Sequence, residues 1–110
     1  MNAFDVLGDP VRRRILELLA ESELASGEVV SRIGDEYGIS QPAVSQHLRV
    51  LRESGFASVR PEGARRLYSL DLSGLDTVER WLSGLKAFWQ QRLDALDTEI
   101  ARGKRERRGR

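Results

Sequence analysis

The sequence predicts a mainly α-helical protein with one small β-hairpin and a long C-terminal helix. Three observations predict this fold class. Capped segments with apolar residues at helical spacing fill the first 55 residues, a turn signal separates two β-prone runs over 56–70, and one apolar seam continues from about Ser73. The 110 residues suit a single domain with a modest core. We expect that domain to span residues 1–101.

Two helices are predicted before residue 22. The run AFDVL indicates a short helix that ends at Gly8. Asp9 is a suitable N-cap for a second helix, and Pro10 fits its first position. The apolar residues of the second helix recur at helical spacing, and they are Val11, Ile15, Leu18 and Leu19. We expect the three arginines at 12–14 to lie on its surface.

The next two helices are predicted to lie on either side of a short turn. A polar connection, SELA, leads to Ser26, an N-cap candidate for a helix that Gly38 ends. Ser40 then caps a helix that stops at Gly55. Its buried face is predicted to carry Val44, Leu48 and Leu51, and its opposite face carries Gln41, Ser45, Gln46, Arg49 and Arg52. Burial alone would not require Gln, Ser and Arg on that face.

The hairpin region is basic. Two β-prone segments flank Pro61-Glu62-Gly63-Ala64, which predicts a hairpin over 56–70. Residues 41–70 hold five Arg against two Glu, a net charge of +3, whereas residues 1–40 hold four Arg against eight acidic residues, a net charge of −4. A basic region within an acidic domain favours a polyanionic partner.

A helix, a turn containing Gly, a second helix and a hairpin form the layout of a winged helix-turn-helix, whose second helix enters the major groove of DNA. Gln pairs with adenine, Arg with guanine, and Ser with either base. We therefore predict binding of double-stranded DNA through the 41–54 helix and the 56–70 wing. The candidate DNA-binding residues are Gln41, Pro42, Ser45, Gln46, Arg49, Arg52, Arg60, Arg65 and Arg66.

The C-terminal segment predicts one long helix with a single apolar seam. From Val78 to Ile100 the apolar residues recur at intervals of 4, 3, 4, 4, 3 and 4. Such a seam needs a second apolar surface, so we predict a homodimer. The candidate interface residues are Phe4, Leu7, Val78, Leu82, Leu85, Trp89, Leu93 and Leu96. The basic tail, 102–110, is predicted to be disordered.

Two stretches of the sequence, LGDPVRRRILELL and GISQPAVSQHLRVLRESGFASVRPEGARRLYSL, resemble the ArsR-type (arsenic-repressor-like) bacterial regulators. The similarity covers about residues 3–100. It implies a homodimeric winged helix-turn-helix protein that binds an inverted-repeat operator and usually represses transcription. One departure from the family is that the helix from Ser26 to Tyr37 is about one turn longer than usual, which puts its start in doubt.

Many members of that family sense metals, but this sequence lacks the ligands. The resemblance places them as Cys in the first helix of the motif, where this chain has Gly27-Glu28-Val29-Val30-Ser31, or as His and carboxylates in the last helix, which has no His. We expect no metal and no cofactor. The single histidine, His47, has two interpretations: a packed, hydrogen-bonded side chain or a phosphate contact.

Several function classes are disfavoured. No phosphate-binding loop, nucleophile elbow or catalytic set is present, so we predict no enzymatic activity. Without a signal peptide or a membrane span, we expect a cytoplasmic protein that joins the nucleoid when bound to DNA. Two alternatives stay open: a winged-helix protein-interaction module, and a regulator whose unknown effector occupies an aromatic pocket formed by Trp81, Phe88 and Trp89.

Overall fold

The computed structural model describes the backbone of residues 1–108 and the side chains of residues 1–104. It confirms the fold class, a mostly helical chain with a small antiparallel sheet and a long last helix. The elements are α1 (Ala3–Leu7), α2 (Pro10–Glu21), β1 (Leu24–Ala25), α3 (Ser26–Tyr37), α4 (Gln41–Glu53), β2 (Ala57–Glu62), β3 (Arg65–Leu70) and α5 (Leu72–Arg108). Residues 1–78 form one compact unit, and α5 from Glu79 onward belongs to a second.

The helix starts follow local capping chemistry. The carboxylate of Asp9 accepts hydrogen bonds from the backbone N–H groups of Val11 (2.8 Å) and Arg12 (3.2 Å), as predicted. Burial raises the pKa of Asp9, but these two hydrogen bonds and the positive charge nearby together lower it by more, so the pKa lies below its usual value. The Ser40 hydroxyl caps α4 through the N–H of Ala43.

Ser26 is not the cap of α3, contrary to the sequence prediction. Ala25 occupies the N-cap position, and Ser26 is the first helical residue. The carboxylate of Glu28 reaches back and accepts a hydrogen bond from the N–H of Ala25 at 3.4 Å. This contact compensates for the missing side-chain cap, because it satisfies an N–H group before the first turn.

The sheet has the strand order β1-β3-β2 and is antiparallel throughout. β2 and β3 pair from Ala57 opposite Leu70 to Glu62 opposite Arg65, which confirms the hairpin. The turn is tighter than expected, because Pro61 and Glu62 belong to β2. Gly63 follows them with a φ of 58°, a left-handed conformation that glycine adopts without strain.

The core of the first unit is built from the apolar faces of the helices and the inner side of the sheet. Val44, Leu48 and Leu51 of α4 are all buried, as the helical spacing predicted. They join the buried residues of the neighbouring elements, among them Ile15 and Leu19 of α2 and Val29 and Ile33 of α3. One face of α4 is therefore fixed against the core, and its other face is left outside.

The C-terminal segment differs from the expectation of a disordered tail at 102–110. α5 continues as a helix to Arg108, and residues 109–110 lie outside the described part of the chain. Arg, Lys and Glu are good helix formers, and extending an existing helix requires no new nucleation.

Across the described residues, no helix combines the length and apolarity needed to cross a membrane.

A close contact fixes the start of α5 on the core. Gly74 packs against the fully buried ring of Phe56, and its N–H donates to the carbonyl oxygen of Gly55 at 2.8 Å. A Cβ at position 74 would lie 2.7 Å from two ring atoms of Phe56. Only glycine fits here without displacing the ring.

We expect Gly74→Ala to destabilise the protein by about 1–3 kcal/mol, because the added methyl group overpacks the Phe56 site. Gly84→Ala is the matched control, since a Cβ at position 84 meets nothing within 4 Å. That control should leave stability unchanged or raise it by up to about 1 kcal/mol through helix propensity. Urea unfolding followed by circular dichroism measures both; equal stabilities of the two variants would contradict the packing argument.

Candidate nucleic-acid interface

The polar side chains of α4 lie together on the face that is turned away from the core. Gln41, Pro42, Ser45, Gln46 and Arg49 are exposed, and Arg52 is half-buried at the edge of this face. At 100° per residue, all six fall within an arc of about 140° that contains none of the three buried residues. The structure thus brings together the six candidates that the sequence placed on this helix.

The three arginines of the hairpin do not form one patch. Arg60 and Arg65 lie on one face of the hairpin, whereas Arg66 lies on the other, because side chains alternate along a strand and Arg66 stands opposite Pro61. All three are exposed. The hairpin therefore presents positive charge on both of its faces.

Several candidate arginines are already paired with carboxylates. Arg60 makes a two-pronged contact with Glu23, with Nη2–Oε1 at 2.6 Å and Nε–Oε2 at 3.3 Å, and this contact raises the pKa of its guanidinium. Arg49 pairs with Glu53 at 3.1 Å, and Arg65 approaches Glu62 at 3.8 Å. Exposed pairs of this kind are weak and exchange readily with another anion.

Arg52 and Arg66 differ from these three arginines. Neither forms an ion pair with any residue in the described part of the chain. Both side chains can therefore meet a polyanion without first leaving a carboxylate. Part of the positive charge on this surface is therefore neutralised by carboxylates of the same chain, and the part carried by Arg52 and Arg66 is not.

Arg12 is a structural residue that the sequence prediction placed wrongly on the surface. Its side chain is buried, with 9% of the residue exposed. Nε donates to the carbonyl oxygen of Val6 at 2.9 Å, and Nη2 donates to that of Asp5 at 3.0 Å. Helical spacing could have revealed this burial, since Arg12 shares a face with the buried residues Ile15, Leu16 and Leu19.

The same guanidinium reaches α4. Nη1 of Arg12 lies 3.4 Å from Nδ1 of His47, which is half-buried. Arginine can only donate, so in this contact Nδ1 of His47 is placed to accept from the guanidinium. The structure thus shows the packed, hydrogen-bonded histidine that was one of the two interpretations from sequence.

The described residues of the single chain contain no group of three metal-ligating side chains. No three His, Cys, Asp or Glu side chains among them lie close enough to hold a metal ion. The first turn of α3 carries Gly27, Glu28 and Val29, of which only Glu28 has a ligating side chain.

A helix pair, α3 and α4, joined by a short turn at Gly38 and followed by a β-hairpin, defines the winged helix-turn-helix class of DNA-binding proteins. Comparison with known proteins gives the family. Residues 9–59 match the model of the family "Bacterial regulatory protein, arsR family".

Individual relatives and a solved structure agree with that match. The chain is 41% identical over 91 residues to the HTH-type transcriptional regulator Rv2034 of Mycobacterium tuberculosis, covering 83% of this chain and 78% of the relative. It is 32% identical to the transcriptional repressor SdpR of Bacillus subtilis, covering 74% and 86%. The homodimeric winged helix-turn-helix domain of Mb0332 from Mycobacterium bovis has the same fold, with a TM-score of 0.56, 24% identity and coverage of 81% and 76%.

The chain belongs to the ArsR family of bacterial regulatory proteins. It is a DNA-binding transcriptional regulator, in a family whose named members are regulators and repressors and not enzymes. The resemblance noted from the sequence is confirmed.

We expect Arg12→Met to destabilise the protein by about 2–4 kcal/mol, because the carbonyl groups of Asp5 and Val6 lose their charged donor. Arg13→Met serves as the control, since Arg13 is exposed and its one hydrogen bond, to the carbonyl oxygen of Leu7, lies at the surface. Its cost should stay below about 1 kcal/mol. Chemical denaturation of both variants decides the point, and a similar loss in each would show that burial of Arg12 adds nothing.

Proposed function

We propose that this protein is a homodimeric repressor that binds an inverted-repeat operator, with α4 in the major groove and the β2–β3 hairpin beside it. One observation carries the proposal. α4 buries its apolar face completely and presents Gln, Ser and Arg side chains on the other. These are the side chains that read base edges in the major groove.

Within this proposal the candidate residues have two roles. Base contacts are assigned to Gln41, Ser45, Gln46 and Arg49, and Pro42 borders them in the first turn of α4. Phosphate contacts are assigned to the remaining arginines, Arg52, Arg60, Arg65 and Arg66. The net charge of +3 over residues 41–70 supports this division, because phosphate attraction supplies much of the affinity of such proteins.

The second part of the proposal is the homodimer. Leu82, Leu85, Trp89, Leu93 and Leu96 of α5 are 37–59% exposed in the single chain. An apolar stripe of this length is expected to meet another protein surface. Phe4 and Leu7 of α1 and Val78 of α5 are further candidates for that interface. The Mycobacterium bovis relative is described as homodimeric, which supports the same assembly here.

A two-fold symmetric dimer presents two copies of α4, and this favours an inverted-repeat site with half-sites about one DNA turn, or a multiple, apart. Repression is the proposed outcome, since the Bacillus subtilis relative is named a repressor. No metal or cofactor belongs to the proposal, and DNA in the cytoplasm is the proposed partner. A protein-interaction module that does not bind DNA would not require the Gln, Ser and Arg face.

Specific DNA should be recovered by selecting genomic fragments that the purified protein binds. On the selected operator, Gln46→Ala and Arg49→Ala should each cost about 1–3 kcal/mol in binding free energy, with a much smaller loss on random DNA. Gln91→Ala, an exposed glutamine on α5, is the control and should change neither. Fluorescence anisotropy measures all these affinities. Equal losses on operator and random DNA would mean that the two residues only contact the backbone.

We expect Glu23→Gln to tighten DNA binding roughly two- to fivefold at low salt, because Arg60 then loses its two-pronged contact and keeps only the longer one with Glu62, at 3.8 Å. Glu21→Gln is the matched control: it removes the same charge from an exposed residue that makes no ion pair with the described residues. The gain should vanish in the double variant Glu23→Gln/Arg60→Ala. Weaker binding by Glu23→Gln would instead show that Glu23 orients Arg60 for the contact.

A further inference from the structure

The charge of α5 changes sign near its C-terminal end. Residues 71–101 hold three basic against six acidic residues, a net charge of −3, whereas residues 102–110 hold six basic residues against one glutamate, a net charge of +5. The change comes directly after Ile100, the last apolar member of the α5 seam, and Ala101. The basic residues are therefore not part of the seam and require a separate explanation.

The basic segment continues the helix. α5 extends to Arg108, so residues 102–108 add about 10 Å of helix at a rise of 1.5 Å per residue. They hold five basic residues and one acidic residue. This amounts to one net positive charge per about 2.6 Å of the helix. DNA carries one negative charge per about 1.7 Å of its axis, so the two charge densities are comparable in size and opposite in sign.

Two basic side chains of the segment, Arg102 and Lys104, lie within the part of the chain whose side chains are described. Both are exposed. Neither forms an ion pair with another described residue, in contrast to Arg49 and Arg60. The helix dipole favours cations in the last turn of a helix, and these two residues precede it. Their charge is therefore not accounted for within the chain and is available to an external anion.

The distribution of these residues around the helix favours a contact made by charge alone. At 100° per residue the five basic positions from 102 to 108 cover an arc of about 220°. No apolar side chain follows Ala101. A helix that docks in a protein groove presents apolar anchors on one face, and a helix that lies on a membrane buries an apolar face. This segment has no such face, and its charges are too widely spread to read base edges from one side.

We propose that residues 102–108 of α5 are a further contact with double-stranded DNA, which binds the phosphate backbone without reading its sequence. The chain is a DNA-binding regulator, so DNA is the polyanion that it meets. The contact adds to those of α4 and the hairpin, and it rests on the DNA complex of the proposed function. Each phosphate that a basic side chain neutralises releases counterions, and this raises the affinity for any DNA sequence.

The test removes charge from the full-length protein. Arg102→Gln/Lys104→Gln removes two charges from the segment. Arg80→Gln/Lys86→Gln is the matched control, because it removes the same charge from exposed positions earlier in the same helix. A third variant replaces all five basic residues from 102 to 108 with Gln. Glutamine is a good helix former, so α5 should be retained, and circular dichroism checks this.

Fluorescence anisotropy at several salt concentrations measures the binding of operator and random DNA. In the five-residue variant, affinity for random DNA should fall roughly ten- to a hundredfold at about 0.1 M salt. The slope of log K against log salt should become shallower by about 2–4, because a dimer loses about two to four phosphate contacts. The ratio of operator to random affinity should stay the same, since backbone contacts carry no sequence information. The double variant should show a smaller loss, and the matched control should change affinity by less than about twofold.

Each other outcome has a distinct meaning. Operator binding with an unchanged salt slope in the five-residue variant would overturn this inference and leave the proposed function standing. An equal loss in the Arg80→Gln/Lys86→Gln control would show an effect of net charge alone and also overturn it. So would a loss confined to the operator, or a loss of binding to phosphatidylglycerol vesicles while DNA binding is unchanged. An unmodified protein that binds neither operator nor random DNA would overturn the proposed function as well.

Discussion

The guanidinium of Arg12 in α2 contacts both α1 and α4, and it is the one buried charge among the described residues. Its hydrogen bonds end on the carbonyl oxygens of Asp5 and Val6 in α1, while its third nitrogen contacts His47 in α4. A buried cation is stable only when its donors are satisfied, so these contacts restrict how α1 and α4 sit on α2. The helix proposed to read DNA is thereby linked to the short helix proposed to join the dimer.

Within the first unit, α4 meets two structural requirements. α4 must bury enough apolar surface to be held firmly, and it must keep the polar face outside. Val44, Leu48 and Leu51 meet the first need and are all within 2% of complete burial. Ser40 and Gly38 define where the helix begins, Ser40 by its hydroxyl and Gly38 by a left-handed φ of 64° that ends α3.

Part of the positive charge on α4 and on the hairpin is neutralised by carboxylates in the free protein. The basic region is real, but Arg49, Arg60 and Arg65 each have a carboxylate nearby in the free protein. Such pairs lower the cost of gathering cations on one surface, and they make contact with a polyanion an exchange of partners. In the proposed DNA complex, these three arginines exchange a carboxylate of their own chain for an acceptor group of the DNA. The apolar seam of α5 differs from these arginines. Its members are exposed, so no described residue of the second unit covers them.

The sequence by itself determined the features that depend on neighbours along the chain. The caps at Asp9 and Ser40, the stop at Gly38, the buried face of α4, the hairpin and the α5 seam all follow from spacings of a few residues. Tertiary structure decided the rest. β1 is two residues long and exists only because β3 pairs with it, and the partner of Arg60 lies 37 residues away in the chain. Helical spacing places Arg12 on the buried face of α2, but the carbonyl groups that satisfy its donors belong to a different helix, α1. Local spacing specifies what a segment can form, but the groups that compensate a buried charge or complete a strand come from distant segments, and only folding brings them together.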